Sequence, residues 1–163
     1  MKRSILQLLT LVVIIGVATS TVASADTLRI YRGRTSQTRP ARDRKVEFRV
    51  IKNKRFDTVR LKLVQIDFRL KCDDGSLTDW GPNVPFGPNG PAIMDGVFSF
   101  ANHFEPNTAL NVRGTIRPRK GGEGTASYTV VMLTDDEQPL LCTKDVTWDV
   151  HLSKVIRNWS PGE

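Results

Sequence analysis

The sequence predicts an all-β domain, a seven- to eight-stranded antiparallel meander that forms a small β-barrel or a two-sheet β-sandwich. Apolar and polar residues alternate with a period of two in nearly every segment after residue 26, the spacing of a half-buried strand. Short clusters of Gly, Pro, Asn and Asp separate these segments, as expected of turns. No segment shows helical spacing, and the lack of crossover helices excludes a parallel sheet.

The first 25 residues have the three parts of a signal peptide. Met1-Lys2-Arg3 is a charged start, residues 5–17 form an apolar run, and Val22-Ala23-Ser24-Ala25 has the small-x-small form of a cleavage site. The run is shorter than the roughly 20 residues that cross a bilayer. We therefore predict a secreted, extracellular protein with residues 26–163 as a single domain and no membrane anchor after cleavage.

The first three strand signals lie within residues 26–72. The apolar sets of the first two are Leu28 with Ile30, and Val46 with Phe48 and Val50. In the third segment the apolar residues first occupy odd positions, at Val59, Leu61 and Leu63. They then occupy even positions, at Ile66, Phe68, Leu70 and Cys72. Because a shift of one residue moves side chains to the other face, we predict a β-bulge near Leu63 and Val64. A strand over residues 59–72 is expected to bend around a barrel or a sandwich corner.

The remaining strands follow a segment rich in proline and glycine. Residues 73–92 contain four prolines and four glycines, which predict a long irregular loop. Strand signals then follow at residues 96–104, 109–117, 125–134 and 146–152. Their apolar sets are Phe98 and Phe100; Leu110, Val112 and Ile116; Tyr128, Val130 and Met132; and Val146, Trp148, Val150 and Leu152. Residues 155–159 are expected to add a strand end or to pack across an open end of the barrel.

Cys72 and Cys142 are the only cysteines of the chain. Two thiols in a secreted protein indicate one disulfide. Metal ligation is the weaker interpretation, because CxxC and HxxxH spacings are absent and His103 and His151 are isolated. We therefore predict the Cys72–Cys142 disulfide, no metal site and no cofactor.

Several motifs resemble a family of small secreted bacterial β-domains, mainly actinobacterial. Tyr31-Arg32-Gly33-Arg34-Thr35-Ser36-Gln37 is similar to the Y-x-G-x-T-S-Q opening of that family. Cys72-Asp73-Asp74-Gly75 and the segment from Cys142 to Trp148 follow in the same order. The resemblance covers residues 31–150 and departs at Thr38, where the family usually has Gly. It implies a secreted β-domain with the disulfide and no established activity.

Charge is distributed unevenly along the chain. Residues 26–62 contain thirteen Lys and Arg against four Asp and Glu, a balance of +9, whereas residues 63–163 have a balance of −4. A basic segment of this kind attracts anionic polymers. The predicted contact residues are Arg32, Arg34, Arg39, Arg42, Arg44 and Lys45. The alternative is a solvated surface that keeps the protein soluble.

A second candidate site is the loop that contains Trp80, Asn83, Phe86 and Asn89. Aromatic rings stack on the apolar face of a sugar, and amides hydrogen-bond to its hydroxyl groups. The alternative is structural, with Trp80 and Phe86 holding a proline-rich loop against the end of the barrel.

The sequence contains no nucleophile elbow, no HExxH and no phosphate-binding glycine loop, so it does not indicate an enzyme. We predict a monomeric, non-catalytic module that binds an anionic cell-wall or extracellular polysaccharide. Nucleic acid is not expected as a partner, because secretion removes it as a routine partner and no stacking aromatics accompany the arginines. The alternative function is a β-barrel carrier of a small apolar ligand, although bulky residues occupy the predicted interior.

Overall fold

A computed structural model of the protein describes residues 26–37, 44–105 and 107–160. The predicted signal peptide, residues 1–25, lies outside this part. The described strands are β1 (Asp26–Thr35), β2 (Lys45–Asn53), β3 (Thr58–Ile66), β4 (Phe68–Cys72), β5 (Leu77–Trp80), β6 (Asn83–Pro85), β7 (Val97–Glu105), β8 (Thr108–Arg117), β9 (Gly121–Leu133) and β10 (Pro139–Trp159). They form one antiparallel sheet that curves into a half-barrel, and the predicted all-β fold is confirmed.

Two meanders meet in the middle of the sheet. The strand order is β6-β3-β2-β1-β10-β9-β8-β7, so the first and last strands are neighbours and β6 and β7 are the edges. β1 pairs with the C-terminal half of β10, from Asp26 opposite Trp159 to Thr35 opposite Trp148. The single sheet corresponds to the barrel-like alternative rather than to two stacked sheets.

The predicted bulge is present, slightly before the predicted position. Val50 lies opposite Leu61 and Arg49 lies opposite Leu63, so Lys62 is the extra residue of β3. Leu61 and Val64 are therefore buried, whereas Leu63, which we expected to share the face of Leu61, is only half-buried. The extra residue shifts the alternation by one position, so the apolar residues that follow it also face the core.

The predicted bend between residues 59 and 72 is a break between two strands. β3 ends at Ile66, and the backbone N–H of Asp67 donates to the carbonyl of Lys45 at the start of β2 (2.9 Å). β4 then leaves β2 and pairs with β10, where Cys72 lies opposite Cys142. The predicted Cys72–Cys142 disulfide is present, and such bonds are typical of proteins outside the cytoplasm.

The proline-rich segment is more regular than predicted. It contains two short strands, which account for the excess over the expected seven or eight. β5 forms a hairpin with β4, and β6 pairs with β3 from Leu63 opposite Pro85 to Gln65 opposite Asn83. Proline is tolerated here because β6 is an edge strand, where a ladder N–H is not required on the outer side. The expectation of one long irregular loop over residues 73–92 is therefore corrected.

The core-facing set of β1 differs from the predicted one. Tyr31 lies opposite Phe48, and both belong to the main apolar core. Leu28 and Ile30 are also buried, but they lie on the other face of the sheet, where Leu28 is opposite Ile51. We call the side of the sheet that carries Leu28, Ile30 and Ile51 the outer face.

An aromatic cluster occupies the centre of the core. The ring centroid of Trp148 lies 4.6 Å from that of Phe48 and 5.9 Å from that of Phe98. Gly124 of β9 lies opposite Trp148, and Gly114 of β8 lies opposite Gly124. A Cβ atom at either glycine would lie 2.5 Å from the Trp148 ring, so the indole packs directly on the backbones of β9 and β8.

The opening motif has structural contacts. The side-chain amide of Gln37 donates to the carbonyl of Arg69 and accepts from its N–H (2.8 Å each). Ser36 and Thr147 are also joined by two hydrogen bonds. At Gly33, a Cβ atom would overlap the carbonyl oxygen of Asp149 in β10. These residues join the end of β1 to β4 and β10.

Candidate functional site

Four exposed cations lie together on the outer face of β1 and β2. Arg34 is opposite Lys45, Arg32 is opposite Glu47, and Arg49 is opposite Ile30. Alternate residues of a strand point to the same side, so these side chains share one surface. We define the basic face by its exposed cations, Arg32, Arg34, Lys45 and Arg49.

Glu47 is the carboxylate at the centre of the basic face. Arg32 Nε donates to Glu47 Oε2 (2.8 Å), and Arg49 Nε donates to Glu47 Oε1 (2.7 Å). Partial burial acts to raise the pKa of Glu47, but the hydrogen bonds and charges of the two arginines outweigh it and hold the pKa below the usual range. Each guanidinium has five N–H donors. The cluster therefore carries a net positive charge and retains donors for an anionic ligand.

We expect Glu47→Gln to lower the free energy of unfolding by about 1 kcal/mol at pH 7 and to have a smaller effect at pH 3. A carboxylate with a depressed pKa stabilises the fold above its ordinary value of 4.5, and this contribution is lost as the pH falls through the folded-state pKa. Urea denaturation at both pH values measures the difference. An equal difference at the two pH values would contradict the assigned role.

Of the other predicted contact residues, the structure describes only Arg44, and this residue does not belong to the basic face. Arg44 is buried, and its Nη2 donates to Asp79 Oδ1 (2.7 Å), which joins the start of β2 to β5. Arg44 is two residues before Val46 and four before Phe48, a spacing that predicts the same inward direction for its side chain. Arg39 and Arg42 lie outside the described residues.

The four residues of the predicted sugar-binding loop have different neighbours. The Trp80 ring stacks on Tyr128, with centroids 6.3 Å apart, and Phe86 meets Phe100 edge-on at 5.1 Å. These contacts support the structural alternative for both rings. Asn83 and Asn89 are exposed, and Asn89 lines a separate groove described next.

The groove lies on the outer face, beside the end of β10, and has a volume of about 460 Å³. It is defined by Ile51, Arg60, Lys62, Asn89 and Trp159, and we call it the Trp159 groove. The Nζ atom of Lys62 is 5.8 Å from the centroid of the Trp159 ring. This site was not predicted, because its lining residues are separated by up to 133 positions along the chain, from Asp26 to Trp159.

Two irregular positions in β10 precede Trp159, which lies on the outer face. Ser153 is an extra residue between the pairs Tyr31–Leu152 and Ile30–Lys154. Asn158 is a second extra residue and has a φ of 58°, in the left-handed region that Asn tolerates. Trp159 is thereby aligned with Asp26, on the same face as Leu28. Because the two extra residues cancel, alternation continued from Trp148 and Val150 also places Trp159 on the outer face, but it does not reveal that Lys62 and Asn89 lie beside the indole.

A third candidate site is a depression with a volume of about 680 Å³ on the outer side of β7–β10. Its lining mixes small polar residues with alanine, valine and phenylalanine, and two pairs of its side chains are hydrogen-bonded. Arg113 Nε donates to Thr125 Oγ1 (3.0 Å), and Asn111 Nδ2 donates to Ser127 Oγ (3.4 Å). This surface has mixed polarity and lacks the concentration of cations seen on β1 and β2.

The described residues contain no group of three or more His, Cys, Asp and Glu side chains arranged to hold a metal ion. None of the described segments forms a helix that is long and apolar enough to cross a membrane. His103 and His151 are both exposed, as their strand parity predicts.

No family model matches the chain, and a search of curated proteins finds no significant match. The resemblance to small secreted bacterial β-domains therefore stays a prediction that rests on the motifs described above.

Proposed function

We propose that the protein is a secreted, non-catalytic module whose basic face binds an anionic extracellular or cell-wall polymer. The observation that carries this proposal is the placement of Arg32, Arg34, Lys45 and Arg49 on one side of two adjacent strands. Successive outward residues are about 6.6 Å apart along a strand, and neighbouring strands are about 4.8 Å apart. The result is an extended array of cations, which suits a polymer with repeated negative charges better than a small ion.

The carboxylates near the array leave it positively charged. Glu47 is shared by two arginines, and Asp149 lies opposite Arg34. Exposed charges of this kind steer and hold anionic ligands at low ionic strength and lose their effect as salt screens them. Affinity for such a polymer is therefore expected to fall as the salt concentration rises.

The test is binding of the protein to polygalacturonate over a salt series. We expect the combined change of Arg32, Arg34, Lys45 and Arg49 to Gln to weaken binding at low salt by at least about 30-fold and to reduce its salt dependence. The matched control removes four exposed cations elsewhere, Arg117, Arg119, Lys120 and Lys144. We expect the control to bind within about threefold of the wild type.

Two outcomes would refute the proposal: absence of binding by the wild-type protein at low salt, or equal weakening in both variants. Equal weakening would mean that net charge, rather than the basic face, determines binding. Circular dichroism melts of both variants ensure that unfolded protein is not mistaken for a loss of affinity.

The alternative function, a carrier of a small apolar ligand, requires space inside the half-barrel. Phe48, Phe98 and Trp148 contact one another at its centre, so no observation favours this alternative over the basic face. Native mass spectrometry with a panel of lipids tests it, and a retained lipid would support it.

A further inference from the structure

The Trp159 groove brings together the three kinds of group that bind an acidic sugar. Trp159 supplies an aromatic face, Lys62 and Arg60 supply cations, and Asn89 supplies an amide. Aromatic rings bind the apolar face of a pyranose, and amides bind its hydroxyl groups. Cationic donors form short, charge-assisted hydrogen bonds to carboxylates.

The cations of the groove are positioned by the loop between β6 and β7. Lys62 Nζ donates to the carbonyl of Gly87 (3.2 Å), and Arg60 Nη1 donates to the carbonyl of Gly90 (2.9 Å). An ammonium has three donors and a guanidinium has five, so both groups keep donors for a ligand. Lys62 is the extra residue of the bulge in β3, so no residue of β2 lies opposite it in the β2–β3 ladder.

A carboxylate also lines the groove. Asp26 lines it and accepts a hydrogen bond from Asn53 Nδ2 (3.4 Å). A carboxylate accepts hydrogen bonds from the hydroxyl groups of a sugar, whereas it repels a sugar ring on which several substituents are negatively charged. The arrangement therefore suits a sugar that has one acidic group and several hydroxyl groups.

The groove is continuous with the basic face. Arg60 lies opposite Ile51 in the β2–β3 ladder, and Arg49 is two residues from Ile51 along β2 on the same face. A linear polymer that lies along the cations of β1 and β2 can therefore extend into the groove without leaving the outer face.

We propose that the Trp159 groove is a uronate-binding subsite, in which a sugar ring stacks on Trp159 and its carboxylate binds Lys62 and Arg60. This inference rests on the proposed function and specifies the sugar class that the module recognises. The basic face supplies general attraction for a polyanion, and the groove selects a sugar ring that carries a carboxylate.

The test is calorimetric titration with trigalacturonate and with its methyl-esterified, uncharged form. We expect the ester to bind the wild-type protein at least tenfold more weakly. Trp159→Ala and Lys62→Gln should each weaken trigalacturonate binding at least tenfold, whereas Trp159→Phe, which keeps a flat ring, should remain within about threefold. Trp80→Ala is the matched control, because this exposed tryptophan lies outside the groove.

Wild-type affinity for trigalacturonate in both Trp159→Ala and Lys62→Gln would overturn the inference, as would equal binding of acid and ester. Lys62→Gln provides the test if Trp159→Ala fails to fold. Polygalacturonate binding, measured in parallel, separates the two proposals. Polymer binding that depends on the basic face but not on Trp159 would refute the subsite and leave the proposed function standing. Absence of polymer binding would refute both.

Discussion

Replacement of both Cys72 and Cys142 by Ala is expected to lower the free energy of unfolding by about 4 kcal/mol. The disulfide joins residues 70 positions apart, and a crosslink over that distance removes much of the conformational freedom of the unfolded chain. The ladder between β4 and β10 is short, with the pairs Cys72–Cys142 and Lys71–Thr143. The disulfide therefore adds a covalent link between the β4–β5 hairpin and β10 to the hydrogen bonds and ring contacts that already join the hairpin to the sheet.

Urea denaturation of the oxidised wild type and the double variant measures this loss, and reduced wild-type protein is the control for the substitutions themselves. Hydrogen exchange should show the largest loss of protection at residues 68–80. A loss of less than about 1 kcal/mol would contradict the expected effect of the crosslink.

The second large effect is expected from Trp148→Ala, which should destabilise the protein by about 3–5 kcal/mol. The indole packs on Gly114 and Gly124 and contacts Phe48 and Phe98. Its removal leaves a cavity that the backbones of two adjacent strands cannot fill. Denaturant midpoints and slopes measure the change.

Trp148→Phe separates ring packing from the polar atom of the indole. The buried Nε1 of Trp148 has no hydrogen-bond partner among the described residues, so phenylalanine removes an unsatisfied donor as well as part of the ring. We expect a clearly smaller loss than for Trp148→Ala, because an unpaired buried donor destabilises the fold. Leu133→Ala, at a side chain that is 72% exposed, should change stability by less than about 0.5 kcal/mol. Equal losses in all three variants would contradict this account.

The strands were predictable because burial on one side of a sheet imposes a two-residue period on the sequence. Val46, Phe48 and Val50 show this period and all lie in the core. The same principle shows why the first strand was misassigned. Its apolar residues Leu28 and Ile30 are covered on the outer face, while the core position is occupied by Tyr31. Periodicity identifies a strand, but it does not identify which of two covered faces belongs to the main core.

The candidate site was predictable only in part. The concentration of cations in residues 26–62 led to Arg32, Arg34 and Lys45, which lie together on the basic face. Net charge along the chain does not reveal the pairing of Arg44 with Asp79, which lies 35 positions away. Trp159 was not among the predicted residues, because its neighbours in the groove come from β2, β3 and the loop after β6, which only the tertiary structure brings beside the end of β10.

The sequence by itself determined the all-β class, the most regular strands and the disulfide. These features follow from local turn chemistry, two-residue periodicity and the presence of only two cysteines. Only the tertiary structure decided the central pairing of β1 with β10, the isolation of Arg44 from the basic face and the assembly of the Trp159 groove. Those features depend on strand register and on bulges at Lys62, Ser153 and Asn158. Register arises from packing between distant segments, and one inserted residue reverses the face of every side chain that follows it.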